Sequence, residues 1–187
     1  MAIEFNLPTY ITLLRVALIP LLMLIFYVPW DYSNIACTAV FILAGVTDWL
    51  DGYLARKLKM ETPFGAFLDP VADKLMVAMV LVIIVERQAD PFLAIPAAII
   101  IGREITIASL REWMATIGQQ ATVKVSMLAK WKTGIQMISL GLLLYHDTLF
   151  SIPIEAIGYA LLYTAALLAV WSMIDYLKAA FTALTKT

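Results

Sequence analysis

The sequence contains one cysteine and one histidine, and charged residues make up only 14% of its 187 positions. The single cysteine, Cys37, cannot form an intramolecular disulfide, which excludes a disulfide-stapled extracellular fold. One histidine cannot supply the histidine pairs on which many zinc sites depend. Basic and acidic residues are balanced at 13 and 14. The chain therefore has no excess of positive charge for a nucleic-acid backbone, and we do not expect nucleic acid as a partner.

Hydrophobic residues are abundant instead, at 63% of the chain, which is too high for a typical soluble domain. Six apolar segments long enough to cross a bilayer are separated by short polar turns. The pattern predicts an all-α, polytopic membrane protein with six transmembrane helices. No connection is long enough to form a second domain, so residues 1–187 are predicted to form a single one. The predicted spans are approximately 7–28, 32–58, 65–85, 91–117, 123–145 and 152–181.

Basic residues are concentrated at one end of the predicted helices. Six spans place both termini and the turns at 59–64 and 118–122 on the same side of the membrane. All of the 13 basic residues except Arg87 and Arg103 lie on that side or in the helix halves nearest to it. Because loops rich in lysine and arginine remain in the cytoplasm, we expect both termini to be cytoplasmic.

Four aspartates stand close together in the sequence, two near the end of the second predicted span and two near the start of the third. An α-helix turns about 100° per residue, so Asp48 and Asp51 share one face of their helix. By the same geometry Asp69 and Asp73 lie about 40° apart on theirs. Both pairs adjoin the same predicted cytoplasmic turn. The four carboxylates are therefore expected to share a polar pocket that faces the cytoplasm.

Carboxylates crowded into a partly desolvated pocket repel one another, and divalent cations remove that repulsion. Ligands that are all oxygen suit Mg²⁺, Mn²⁺ or Ca²⁺. Four negative charges balance two such ions, an arrangement that stabilises the entering and leaving oxygens in phosphoryl transfer. Charged residues inside a bilayer are costly, so a functional role for all four aspartates is the favoured interpretation.

Small residues accompany the aspartates. Gly52, Ala55 and Gly65 would let a ligand approach the backbone, and Arg56 is placed to hold a phosphate. A second interpretation remains open, because small residues also allow membrane helices to pack closely. Arg56 would then be part of the positively charged cytoplasmic flank.

The spacing of these residues resembles a family signature. The pattern Asp48-x-x-Asp51-Gly52-x-x-Ala55-Arg56, eight residues, Gly65-x-x-x-Asp69-x-x-x-Asp73 matches the motif of the CDP-alcohol phosphotransferases at all eight fixed positions. The resemblance covers essentially the whole chain. Four further stretches are similar to the family members that use glycerol 3-phosphate: 6–15, 67–74, 102–113 and 130–133.

The resemblance implies six transmembrane helices in a bacterial cytoplasmic (inner) membrane, commonly as a homodimer. It implies transfer of the phosphatidyl group from CDP-diacylglycerol to sn-glycerol 3-phosphate, with release of CMP. Asp73 would be the catalytic base. The resemblance also implies two Mg²⁺ or Mn²⁺ ions held by Asp48, Asp51, Asp69 and Asp73. The CDP group would be held by Asp48, Gly52, Ala55, Arg56 and Gly65.

The acceptor needs a phosphate site of its own, for which basic residues of the fourth and fifth spans are candidates. Arg103 is expensive in mid-membrane unless it pairs or faces a polar cavity, and Arg111 and Lys130 lie nearer the cytoplasm. Alternatively, Arg103 forms an ion pair with Glu104, and the other two are flank charges.

Two other functions remain open from the residues alone. A related transferase with a different acceptor, such as inositol phosphate or serine, would keep the same eight positions. A cation transporter would also place carboxylates within spans, although usually near mid-bilayer.

Overall fold

The computed structural model describes residues 6–58, 62–118, 127–147 and 152–184. The secondary-structure elements in these ranges are all α-helices, which confirms the all-α prediction. The predicted segments and the observed helices agree to within three residues at each end. The start of the fifth segment is the exception, because residues 123–126 lie outside the described ranges. The helices are α1 (Leu7–Tyr27), α2 (Ser33–Leu58), α3 (Pro63–Gln88), α4 (Pro91–Thr116), α5 (Met127–Tyr145) and α6 (Ile154–Leu184).

Three of the helices begin in the same way, with a polar capping residue and a proline in the first turn. Asn6, Thr62 and Asp90 are the caps, and each side chain accepts a hydrogen bond from a backbone N–H of the first turn. Proline is tolerated there because its missing N–H would have no partner inside the helix. The helix starts are therefore encoded locally in the sequence.

The helices surround one apolar core to which all six contribute. α1 packs on α2 and α3, α5 on α2, α3 and α6, and α4 on α3 and α6. Because α1 packs on both α2 and α3, it brings together the predicted site residues of those two helices. Buried core residues, one from each helix in order, are Leu22, Phe41, Leu81, Ile100, Leu144 and Leu162.

The outward surface is apolar as well, which is expected of a protein solvated by lipid. Leu167 and Trp171 on α6 are 73% and 64% exposed. In the part of the chain that the structure describes, α1, α2, α4 and α6 are long and apolar enough to span a membrane. The apolar run of α3 is interrupted by Asp69, Asp73 and Lys74. The chain is thus a membrane protein with four candidate spans among its six helices, and six spans remain a prediction.

Candidate active site

Arg15 of α1 binds three of the four aspartates. Its Nη1 lies 2.7 Å from Oδ1 of Asp48 and 2.8 Å from Oδ1 of Asp73, and its Nη2 is paired with Asp51. The arginine side chain is 1% exposed. A buried guanidinium of α1 therefore joins carboxylates from α2 and α3, and its charge offsets part of their mutual repulsion.

Thr12 brings the fourth aspartate into the same cluster. Its hydroxyl donates to Oδ1 of Asp69 at 2.5 Å and also lies 3.3 Å from Oδ2 of Asp51. Thr12 precedes Arg15 by three residues, which places both side chains on the same face of α1. The structure thus brings all four predicted aspartates together around one face of α1.

The aspartates differ in their access to solvent. The side chains of Asp48 and Asp73 are 46% and 52% exposed, whereas Asp51 is buried. Asp48 and Asp73 line a cavity of about 480 Å³, together with Arg15 and Lys74. Asp51 is positioned behind them, so Asp48 and Asp73 are the carboxylates that a bound molecule meets first.

α4 and α5 also contribute to the wall of the cavity. Glu104, Thr133 and Gln136 line it. Glu104 is paired with the buried Lys132 and lies 3.1 Å from Nη1 of Arg103. These charges neutralise one another in part, which is the usual condition for charged groups at this depth.

Two of the three predicted acceptor-site residues, Arg103 and Arg111, do not lie on the cavity surface. Arg103 makes the ion pair with Glu104 that the sequence left as an alternative, and its Nη2 donates to Ser172 of α6 at 3.1 Å. Arg111 donates to the hydroxyl of Tyr176, 2.9 Å away. Neither arginine is among the residues that line the cavity. The side chain of Lys130 lies outside what the structure describes.

The predicted CDP-binding residues are placed less completely. Gly52 lies in α2 and is half-buried, while the side chains of Ala55 and Arg56 are outside the described part of the chain. Gly65 is buried where α3 approaches α1. A Cβ at Gly65 would lie 3.0 Å from Oγ1 of Thr62 and 3.5 Å from Oγ1 of Thr9. Close packing at Gly65 is therefore a structural requirement independent of any nucleotide.

The donor chemistry of the cluster fits the expected divalent ions, because carboxylate oxygens are preferred ligands of Mg²⁺ and Mn²⁺. Among the residues that the structure describes, no three acidic, histidine or cysteine side chains converge as a ligand set. Instead, Nη1 of Arg15 lies between Asp48 and Asp73. An ion bound by these carboxylates would have to replace the guanidinium as their partner.

A second, apolar depression adjoins the cavity. It is a groove of about 350 Å³ between α2 and α5, and it shares Gly45 and Met137 with the cavity wall. Its other lining residues are all apolar or aromatic: Phe41, Ile42, Val46, Trp49 and Ile138. A polar cavity that continues into an apolar groove suits a ligand with a charged head and a hydrocarbon tail.

Sequence reasoning did not identify Thr12, Arg15 or Gln136 as site residues. A signal for Arg15 was present, because an arginine nine residues into an apolar segment is as costly as Arg103. Its partners could not be found from helical periodicity, since they lie on two other helices. Gln136 carries no charge, and its position on the cavity wall appears only in the fold.

The chain is similar to proteins of one known family. A model of the CDP-alcohol phosphatidyltransferase family matches residues 5–171. A protein of Haemophilus influenzae named CDP-diacylglycerol–glycerol-3-phosphate 3-phosphatidyltransferase is 52% identical over 177 residues, covering 95% of this chain and 94% of its own. Proteins with the same name from Pseudomonas fluorescens and Escherichia coli K12 are 50% and 48% identical, covering 94% and 95% of this chain and 90% and 96% of their own.

Proposed function

Because the chain belongs to the CDP-alcohol phosphatidyltransferase family, we propose that it transfers the phosphatidyl group of CDP-diacylglycerol to sn-glycerol 3-phosphate and releases CMP. Relatives that carry this activity in their names are about half identical over nearly the whole chain. The observation that carries the proposal is the convergence of three motif aspartates on Arg15, and of the fourth on Thr12, at a cavity of about 480 Å³.

In this reaction the C1 hydroxyl of glycerol 3-phosphate attacks the phosphorus that carries the diacylglycerol oxygen. A new P–O bond forms, the bond from that phosphorus to the bridging oxygen of the diphosphate breaks, and CMP leaves with the bonding electrons. The hydroxyl proton passes to Asp73. Asp73 suits this role because its carboxylate lies on the cavity surface, where a bound acceptor would meet it.

Charge control is the second requirement. Phosphoryl transfer depends mainly on positioning and on electrostatic stabilisation of the diphosphate. Asp48, Asp51, Asp69 and Asp73 would hold a pair of Mg²⁺ or Mn²⁺ ions, and the ions would supply positive charge to the departing phosphate. Asp48, Gly52, Ala55, Arg56 and Gly65 are the proposed contacts of the CDP group.

The two substrates would approach from different sides. The apolar groove between α2 and α5 supports a lipid donor, since it runs from the cavity wall at Gly45 to the outer surface at Trp49. The water-soluble acceptor would enter from the cytoplasm. Arg103, Arg111 and Lys130 are the proposed contacts of its phosphate, and Lys74 adds a basic side chain on the cavity surface.

The membrane arrangement follows from the same proposal. All six helices would cross the inner membrane of a bacterium. Both termini and the cavity would lie on the cytoplasmic side, so that the water-soluble glycerol 3-phosphate enters from the cytoplasm and CMP is released into it. The distribution of basic residues supports this orientation. A homodimer in the lipid bilayer is the proposed assembly.

A purified preparation in nanodiscs tests the function directly. We expect CMP release from CDP-diacylglycerol with Mg²⁺ and sn-glycerol 3-phosphate, and none with serine, inositol phosphate or phosphatidylglycerol as the acceptor. Release with one of these other acceptors would assign a different transferase activity. Absence of CMP with all four would remove the transferase proposal and return attention to cation transport.

A further inference from the structure

Gln136 is a buried polar residue on the wall of the cavity. The residue is 3% exposed and lies on α5, one helical turn after Lys132. Among the described residues, no donor reaches its Oε1. Buried polar atoms are nearly always paired, so an unpaired oxygen at a cavity requires an explanation.

The charged side chains that line the cavity with Gln136 have other partners, and Lys74 among them donates to the carbonyl of Pro70 at 3.1 Å. Glu104 is paired with Lys132 and Arg103, and the guanidinium of Arg15 holds three aspartates. Gln136 thus provides an uncharged acceptor in the same cavity as Asp73. Rotation about the last side-chain bond, whose preference is broad, would turn this oxygen toward the cavity.

We propose that Gln136 recognises the non-reacting hydroxyl of the acceptor, accepting its hydrogen bond at Oε1. This assignment rests on the proposed function. Glycerol 3-phosphate has two hydroxyl groups, and the one that attacks gives its proton to Asp73. The C2 hydroxyl remains as a donor, whereas an ionised phosphate has no hydrogen to offer Oε1. The donors of the CDP group are assigned to the proposed site on α2 and α3, which does not include Gln136.

Such a contact determines specificity. A site built to bond a substrate hydroxyl discriminates strongly against an analogue without it, because the buried partner is then left unpaired. The useful analogue is 3-hydroxypropyl phosphate, which keeps the phosphate and the reacting hydroxyl but lacks the C2 hydroxyl. The wild type is expected to prefer glycerol 3-phosphate by at least about tenfold in kcat/KM.

The test compares the two acceptors in wild type and Gln136→Met, which keeps the side-chain length but has no amide oxygen. We expect kcat/KM for glycerol 3-phosphate to fall by about tenfold to hundredfold, and that for 3-hydroxypropyl phosphate to change by less than about twofold. The KM for CDP-diacylglycerol should not change. Both acceptors are measured on the same preparation, so a smaller folded fraction cancels in their ratio. Gln136→Leu provides a second variant with the same expected ratio.

Ser139→Ala is the matched control. Ser139 is also buried on α5, but it donates to the carbonyl of Gly158 in α6 at 2.8 Å and does not line the cavity. The Ser139→Ala variant should keep the wild-type ratio of kcat/KM for glycerol 3-phosphate to that for 3-hydroxypropyl phosphate.

Equal losses with both acceptors in the Gln136 variants would overturn the assignment and indicate a contact with the phosphate or a purely structural role. A wild type without preference would overturn it as well. No CMP release by the wild type with either acceptor would overturn the proposed function itself.

Discussion

Nη1 of Arg15 lies 2.8 Å from Oδ1 of Asp73, so a buried side chain of α1 holds the proposed catalytic base of α3. The same arginine is paired with Asp48 and Asp51 of α2. With Asp69 included, four carboxylates are grouped with a single guanidinium, so the formal net charge of these five groups is −3. The cluster therefore has a strong demand for additional positive charge.

Replacing Arg15 by glutamine tests this balance. In EDTA, Arg15→Gln should lower the melting temperature, because removing one partner of a buried ion pair costs about 3–5 kcal/mol. Adding Mg²⁺ should raise the melting temperature of the variant by more than that of the wild type, since the ions then replace the missing charge. Thermal unfolding in detergent, with and without Mg²⁺, measures both effects.

The control for this variant is Arg87→Gln. Arg87 donates to the carbonyl of Leu144 at 3.0 Å and does not contact the aspartates. Its loss should not change the response to Mg²⁺. If Arg15→Gln melts like the wild type in EDTA, the guanidinium is not what holds the carboxylates together.

Replacing Asp73 by asparagine tests the proposed base. An amide cannot take the hydroxyl proton, so Asp73→Asn should reduce kcat by about 10²-fold to 10⁴-fold. Binding of CDP-diacylglycerol should persist, as measured by the heat of titration into nanodiscs. Asp175→Asn, an exposed aspartate of α6 away from the cavity, is the control and should retain activity. Activity within tenfold of the wild type would remove Asp73 from the role of base.

The sequence predicts features that depend on residues close together in the chain, but not contacts between different helices. Helix positions follow from apolar run length and from caps such as Thr62, which are local. That Asp48 shares a face with Asp51 follows from the helical repeat. The partner of both, Arg15, lies 33 and 36 residues earlier, and no periodicity connects residues on different helices.

For Arg103, the sequence indicates that the residue needs a partner but does not identify the partner on another helix. Its charge in an apolar segment correctly marked it as a residue that needs a partner. The sequence suggested an ion pair with the adjacent Glu104, and the structure contains that ion pair. Its contact with Ser172, 69 residues later, required the packing of α4 against α6.

A pair of variants tests the proposed phosphate contact of Arg103. Arg103→Gln removes the charge and the contact with α6, whereas Ser172→Ala removes only that contact. We expect Arg103→Gln to raise the KM for glycerol 3-phosphate without changing the KM for CDP-diacylglycerol. Ser172→Ala should leave both constants at their wild-type values.

Steady-state kinetics with each substrate varied in turn distinguishes a phosphate contact of Arg103 from a purely structural role. If both variants change the constants equally, Arg103 acts by holding α4 against α6, and another basic residue binds the phosphate. Lys74, which lines the cavity, would then be the next residue to neutralise.

The contact between α5 and α6 leads to a prediction about stability. A Cβ at Gly158 would lie 2.8 Å from Cγ and 2.9 Å from Cδ2 of Leu143, which is closer than side-chain carbons approach. Gly158→Ala should therefore force Leu143 or the helix backbone to move. We expect the free energy of unfolding to fall by about 1–3 kcal/mol, the usual cost of overpacking.

Gly134→Ala on α5 is the matched control, because its new methyl group would meet no atom within 4 Å in the part of the chain that the structure describes, apart from the helix's own backbone. Alanine is the better helix former, so this variant should be unchanged or more stable by about 0.5–1 kcal/mol. Thermal unfolding of the two variants should give shifts of opposite sign, or a loss for Gly158→Ala only. Shortening Leu143 to alanine removes the atoms that clash, so Gly158→Ala should cost less in that background than in the wild type. An equal cost in both backgrounds would show that the loss arises elsewhere than at the Leu143 contact.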